Sequence, residues 1–260
     1  MELNIYQTDA FADRPFTGNP AAVVPLEKWL PGEVMQNIAL ENNLSETAFF
    51  VPVENAFHIR WFTPAAEVKL CGHATLASAF VLFEHLNYPE PIIHFHSLSG
   101  ILKVKKENGI FVMDFPASEI TEIEIPRNLK TAFNFQPEKC FRGRDDIMLV
   151  FKTESDINQL VPDFQKILDS ETRGVIVTAA SSEFDFVSRF FAPAVGVNED
   201  PVTGSAHTML IPYWSEKLNK AEMKAKQVSK RGGIVFCKSA GKRVEIGGKA
   251  VTTLIGKIIF

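Results

Sequence analysis

The chain has 260 residues, 46% of them hydrophobic, and 27 Lys and Arg against 31 Asp and Glu leave a formal net charge of −4. This is enough apolar material for one large core or two ordinary ones, and the small acidic excess excludes the basic stripe that neutralises a phosphate backbone, so no nucleic-acid partner is expected. No apolar run approaches the ~20 residues of a membrane helix, MELNIYQTDAF lacks the basic-then-apolar order of a signal peptide, and the widely spaced Cys71, Cys140 and Cys237 are expected as reduced thiols in the cytoplasm.

The first helix is expected over PGEVMQNIALENN (31–43), with Pro31 at its start. HIRWFT (58–63) is a strand rich in aromatic and β-branched residues, stopped by Pro64. After Gly72 follows a stretch that is apolar nearly all round, from Leu76 to Phe83, so the helix it forms must be enclosed. IIHFH (92–96), ILKVK (101–105) and IFVMDF (110–115) are strands, and a domain boundary is expected near Pro116. IMLVF (147–151), GVIVTAA (174–180), FDFVSRFF (184–191), GIVFC (233–237) and KRVEIGG (242–248) continue the series. The helix expected from Gly204 onward contains Pro212, which should kink or end it. The last strand, TTLIGKIIF, has no assigned half.

Residues 60–79, RWFTPAAEVKLCGHATLASA, and 189–210, RFFAPAVGVNEDPVTGSAHTML, share an ordered pattern. Each opens Arg, aromatic, Phe, small residue, Pro, passes through acids (Glu67; Glu199 and Asp200), and reaches Cys71-Gly72-His73-Ala74 or Thr203-Gly204-Ser205-Ala206 before an apolar run. A duplication explains this pattern best. The expected fold is therefore α+β, in two similar halves (1–116 and 117–260), each a mostly antiparallel curved sheet wrapped around a central helix. The last strand is left free to return to the first half.

The first N–H groups of a helix lack intrahelical acceptors and carry partial positive charge. A Gly at the entry lets a ligand approach them, so each start is a potential cradle for a small carboxylate or phosphate. Each residue also has a plainer reading. Thr203 and Ser205 are ordinary N-caps, Asp200-Pro201 is a common turn pair, and Asn19 in GNP belongs first to a turn. His94 and His96 share a strand face without a third ligand, and no CxxC, HExxH or GxGxxG occurs, so no metal site is expected.

FTGNPAAV (16–23), LSETAFF (44–50), FTPAAEVKLCGHATLASA (62–79) and EDPVTGSAH (199–207) resemble, in order and spacing, the signature segments of the PhzF family, the phenazine-biosynthesis isomerase and its relatives. The resemblance spans roughly residues 1–215. It implies the diaminopimelate-epimerase type of fold, an active site in the cleft between pseudo-symmetric halves, a homodimer, and neither metal nor organic cofactor. Carried over residue by residue, it makes Glu46 the catalytic acid/base, with His73, Asp200 and Ser205 as catalytic partners. Asn19, Ser45, Gly72 and Gly204 follow as substrate-binding residues. The expected reaction is a proton transfer that shifts a double bond in a small carboxylate-bearing substrate. A carboxylate serves best as a base when burial lifts its pKa, and Glu46 sits just before the apolar TAFFV.

The cysteine-dependent epimerases and racemases of the same fold resemble one another in using two cysteines, one at each helix start. Here Cys71 fills the first slot and Thr203 the second, so a two-thiol racemase is disfavoured and Cys71 is expected as a small buried residue. A non-catalytic anion-binding protein is a further alternative. A cysteine hydrolase built on Cys71 and His73 is disfavoured because side chains two apart at a helix start should diverge.

Overall fold

Short runs rich in β-branched and aromatic residues become most of the strands of the computed structural model, which describes residues 1–260. Two compact units result, one of Met1–Asp114 with Gly247–Phe260, the other of Phe115–Ile246. The elements up to the division are β1 (Glu2–Ala10), β2 (Asn19–Pro25), α1 (Gly32–Asn42), β3 (Glu46–Val53), β4 (Ala56–Phe62), β5 (Glu67–Val68), α2 (Gly72–Glu84), β6 (Ile92–Ser97), β7 (Gly100–Glu107) and β8 (Ile110–Pro116). Beyond it come β9 (Thr121–Ile123), α3 (Arg127–Lys130), β10 (Lys139–Arg142), β11 (Asp146–Val150), α4 (Glu154–Asn158), α5 (Phe164–Leu168), β12 (Gly174–Ala180) and β13 (Phe186–Ala192). The chain closes with β14 (Val197–Asp200), α6 (His207–Leu218), β15 (Glu222–Gln227), β16 (Gly233–Ala240), β17 (Arg243–Gly248) and β18 (Ala250–Ile259).

Strand pairing repeats from one unit to the next. In the first, β1 and β2 are antiparallel, β2 and β3 parallel, β3 and β4 antiparallel, β4 and β5 antiparallel, β4 and β6 parallel, and β6 and β7 antiparallel. In the second, β10 and β11 are antiparallel, β11 and β12 parallel, β12 and β13 antiparallel, β13 and β14 antiparallel, β13 and β15 parallel, and β15 and β16 antiparallel. Each parallel step needs a crossover, and a helix supplies it. β9 adds antiparallel to β10, and β18 adds antiparallel to β1, so the final strand belongs to the first unit.

α2 is the enclosed helix expected from its sequence, with nine of its residues buried. It packs on β1, β2, β3 and β18. Leu76 is fully buried there, so truncating it to Ala would cost roughly 2–5 kcal/mol. α1 covers the other side of β3 and β4 through Met35, Ile38 and Ala39, joining Val24, Phe49 and Phe62 in one apolar cluster.

The repeated Arg and Glu are scaffolding. Arg60 grips Glu67 through two bonds of 2.7 Å and lies 5.2 Å over the Phe62 ring. Arg189 grips Glu199 at 2.7 and 3.0 Å and lies 4.9 Å over Phe191. Each pair ties its central strand to the following short strand, β4 to β5 and β13 to β14. Arg189 also donates to the carbonyls of Ile157 and Leu160, capping the end of α4.

Two expectations about the second central helix need correction. It begins at His207, and residues 204–206 form a tight turn in which His207 N–H bonds to Gly204 C=O and Thr208 N–H to Ser205 C=O. Pro212 neither ends nor breaks the helix, which continues to Leu218. The missing N–H at Pro212 would orphan the carbonyl of Thr208, four residues earlier. Ser118 N–H fills that carbonyl at 3.0 Å, and the Ser118 and Thr208 hydroxyls meet at 2.7 Å.

Candidate functional site

Each unit carries its own cluster of polar residues around a central-helix start. In the first, parallel pairing sets Glu46, the opening residue of β3, opposite Ala21 of β2. His73 stands in the first turn of α2, buried, and its Nε2 lies 3.0 Å from Glu46 Oε2. The two are in ion-pair contact, but Oε2 accepts no aligned hydrogen bond, so the carboxylate keeps acceptor capacity. The amides of Gly72 and His73 precede the first intrahelical donor, Thr75 N–H, which bonds to Cys71 C=O.

Cys71 Sγ lies 3.6 Å from His73 Nδ1, which corrects the expectation that these side chains diverge. Cys71 is the N-cap residue with φ −144° and ψ 110°, so its side chain leaves an extended backbone and swings over the first turn. Burial first, and then the Glu46 charge, push the Cys71 thiol up, so at neutral pH it is a neutral thiol. Burial depresses His73, whereas the negative charge shared by Cys71 and Glu46 raises it, and the imidazole is held well above its ordinary value. The proton that His73 holds is thus shared with a cluster in which Glu46 is the group in ion-pair contact.

Donor atoms of Glu46, Cys71 and His73 all lie within 4.8 Å of one another, close enough to suggest a metal trio. The sulfur lies 3.6 Å from Nδ1 and 4.0 Å from Nε2 of His73, and Nε2 is also the nitrogen that meets Glu46, so the three side chains form one polar cluster around the imidazole.

Asn19 is the fully buried first residue of β2, not part of a turn. The turn ends at Gly18 (φ +68°), where a Cβ would come within 2.2 Å of Ala10 O. Asn19 lies two residues before Ala21, at the same sheet end as Glu46. Ser45 is half-buried in the bend just before Glu46. Gly72 opens α2.

In the second unit, Asp200 ends β14 and its carboxylate accepts from the Thr203 hydroxyl. Thr203 and Ser205 are therefore not N-caps as expected, since α6 has no side-chain cap. Gln227, fully buried, holds the loop from three directions. Its Oε1 accepts from Thr203 N–H at 2.9 Å, and its Nε2 donates to Asp200 C=O at 2.7 Å and to the Thr203 hydroxyl at 3.2 Å. Ser205 Oγ accepts from Arg173 Nη2 at 3.2 Å, and Gly204 is buried in the turn. His207 donates Nδ1–H to Thr203 C=O at 2.8 Å, as Thr75 Oγ1 does to Cys71 C=O at 2.6 Å in the first unit. Burial drives its pKa down to about 4, so it is neutral. Sequence reasoning missed Gln227, Arg173 and His207.

The two helix starts thus share equivalent carbonyl anchors, one carrying a Glu-His pair and the other an Asp-Thr-Gln-held loop. The family model for PhzC-PhzF, described as phenazine biosynthesis-like protein, matches residues 8–256. The chain belongs to this family. An uncharacterized isomerase of Pseudomonas aeruginosa is 49% identical over 258 residues, covering 99% of both chains. A crystal structure of a PhzF-family protein from Enterococcus faecalis superposes with a TM-score of 0.98 at 47% identity, covering all of both chains. A probable proline racemase from Agrobacterium radiobacter, at 9% identity and TM-score 0.65 over 99% of this chain and 93% of its own, shares the fold alone. The chain thus has the PhzF form of the epimerase and racemase type of fold. No helix of this PhzF-family chain is long and apolar enough to cross a membrane.

Proposed function

We propose that this PhzF-family protein is an isomerase that moves a proton on a small carboxylate-bearing substrate, with Glu46 as the acid/base and no metal or organic cofactor. The Glu46-His73 contact at 3.0 Å carries the reading: a carboxylate with open acceptor capacity and a buried imidazolium beside it, in the first turn of α2, where the Gly72 and His73 amides precede the first intrahelical donor. In this reading Glu46 takes a proton from an activated carbon and returns it to another position on the same molecule. His73 faces the negative charge that develops, and the Gly72 and His73 amides hold anionic oxygen. The Asp200–Ser205 loop of the second unit serves the same substrate through Asp200, the Ser205 hydroxyl and the Gly204 and Ser205 amides.

Thiol chemistry is the rival that a specific observation favours, because Cys71 does meet His73. Its buried, neutral thiol and the hydroxyl at position 203 speak against it. Incubation in deuterium oxide with a panel of small carboxylic acids, read by mass spectrometry, tests the choice. Wild-type protein should incorporate deuterium into at least one acid, and iodoacetamide pretreatment should leave the rate unchanged. No incorporation into any acid overturns the reading, and loss on alkylation moves the chemistry to Cys71.

A further inference from the structure

Arg173 is a charged residue bonded to the second helix start that the proposed chemistry leaves without a task. It stands immediately before β12, where Asp146 and Gly174 are the first register pair of the parallel β11 and β12. Its own N–H bonds to Asp145 C=O at 3.1 Å, and the neighbouring Thr172 hydroxyl donates to the same carbonyl at 3.1 Å. Both ends of the Arg173-Asp146 pair are therefore fixed by sheet geometry. The Asp146 side chain is only 4% exposed and takes Nε–H at 2.9 Å and a second bond from Nη2, the planar fork that only an arginine presents. The guanidinium carbon lies 5.8 Å over the buried Phe190 ring. That ring lies against position 174, where a Cβ would come within 2.3 Å of Phe190 Cζ.

Beyond this clamp, Nη2 also donates to Ser205 Oγ at 3.2 Å. A hydroxyl has one proton and two acceptor lone pairs. With the cation donating into the oxygen, the Ser205 proton is turned away from Arg173 and is available to an incoming anion. The buried Asp146 carboxylate holds the guanidinium in a fixed plane, which suits Arg173 to support Ser205. We propose that Arg173, clamped by Asp146, is a positioning residue that fixes the rotamer of Ser205 and commits its hydroxyl to donate to the substrate. The proposal rests on the isomerase reading for its catalytic consequence, whereas the rotamer claim stands on its own.

The experiment has two arms on the full-length protein: both use wild type, Arg173→Lys and Asp146→Asn, and the second adds Ser205→Ala and the Arg173→Lys/Ser205→Ala double variant. In the first arm, three-bond NMR couplings of Ser205 report its χ1 rotamer without any ligand. Wild type should show one rotamer and Arg173→Lys an average, and a single unchanged rotamer in Arg173→Lys and Asp146→Asn overturns the proposal. In the second arm, deuterium incorporation into whichever panel acid wild type exchanges is measured. Arg173→Lys should lose about tenfold, chiefly in kcat. The double variant should be no slower than Ser205→Ala alone, because one residue acts through the other. Additive losses, or a loss confined to KM, show that Arg173 binds substrate directly and overturn the proposal. If wild type exchanges no acid, the isomerase reading fails and the rotamer arm still decides the positioning claim.

Discussion

Protonation of His207 gives the most quantitative link between this structure and stability. The side chain is fully buried, its Nδ1–H is committed to Thr203 C=O, Nε2 has no partner, and the ring sits 6.1 Å from Phe186. Its pKa falls from the ordinary 6.5 to about 4 through burial. In the unfolded chain it titrates normally, so between pH 6.5 and 4 the unfolded state binds more protons and stability must fall with falling pH. Two to three pH units at 1.36 kcal/mol each give a loss of about 3 kcal/mol, absent above pH 6.5 and complete near pH 4. Urea unfolding from pH 7.5 to 4.5 should show wild type losing stability toward that slope below pH 6.5. His207→Asn, which keeps a donor in the Nδ1 position, should be offset at pH 7.5 but lack this part of the slope. Parallel curves for the two proteins would refute the reasoning, since the carboxylates are common to both.

Three further outcomes follow from the same structure. His73 has the opposite sign: its raised folded pKa adds stability that is complete below ~6.5 and lost as pH rises through the folded value, so the urea-unfolding gap between wild type and His73→Asn should narrow as pH is raised. Pro212→Ala should change stability by less than ~1 kcal/mol in urea melts, because Ser118 already satisfies Thr208 C=O; a gain near the ~3 kcal/mol cost of an uncompensated helix proline would contradict this. Gly174→Ala should cost roughly 1–3 kcal/mol by driving a Cβ into the Phe190 ring, read as a lowered thermal midpoint.

Much of the fold was legible because its signals are local. The α2 run from Leu76 to Phe83 allows no exposed face, and the Arg-aromatic-Phe-x-Pro pattern announces the same strand and hairpin twice, which the Arg60-Glu67 and Arg189-Glu199 pairs make physical. What stayed hidden depends on long-range pairing. Arg173 meets Asp146 only because β11 and β12 run parallel in one register, and Gln227 reaches Thr203 across 24 residues. Pro212 misled for the same reason, since its compensation comes from Ser118, 94 positions away in the chain. The convergence of Cys71 on His73 was missed because an N-cap residue is not yet helical. The family resemblance pointed to Glu46 and His73; their 3.0 Å contact is a property of where β3 begins relative to α2.

Glu46→Gln keeps the shape of the side chain and removes its basicity, so it isolates the step on which the account depends. With the acid that wild type exchanges, deuterium incorporation should fall by roughly 10²–10⁴-fold while calorimetric affinity for that acid is retained. Incorporation at the wild-type rate in Glu46→Gln would contradict the account, because proton transfer would then need no carboxylate at position 46.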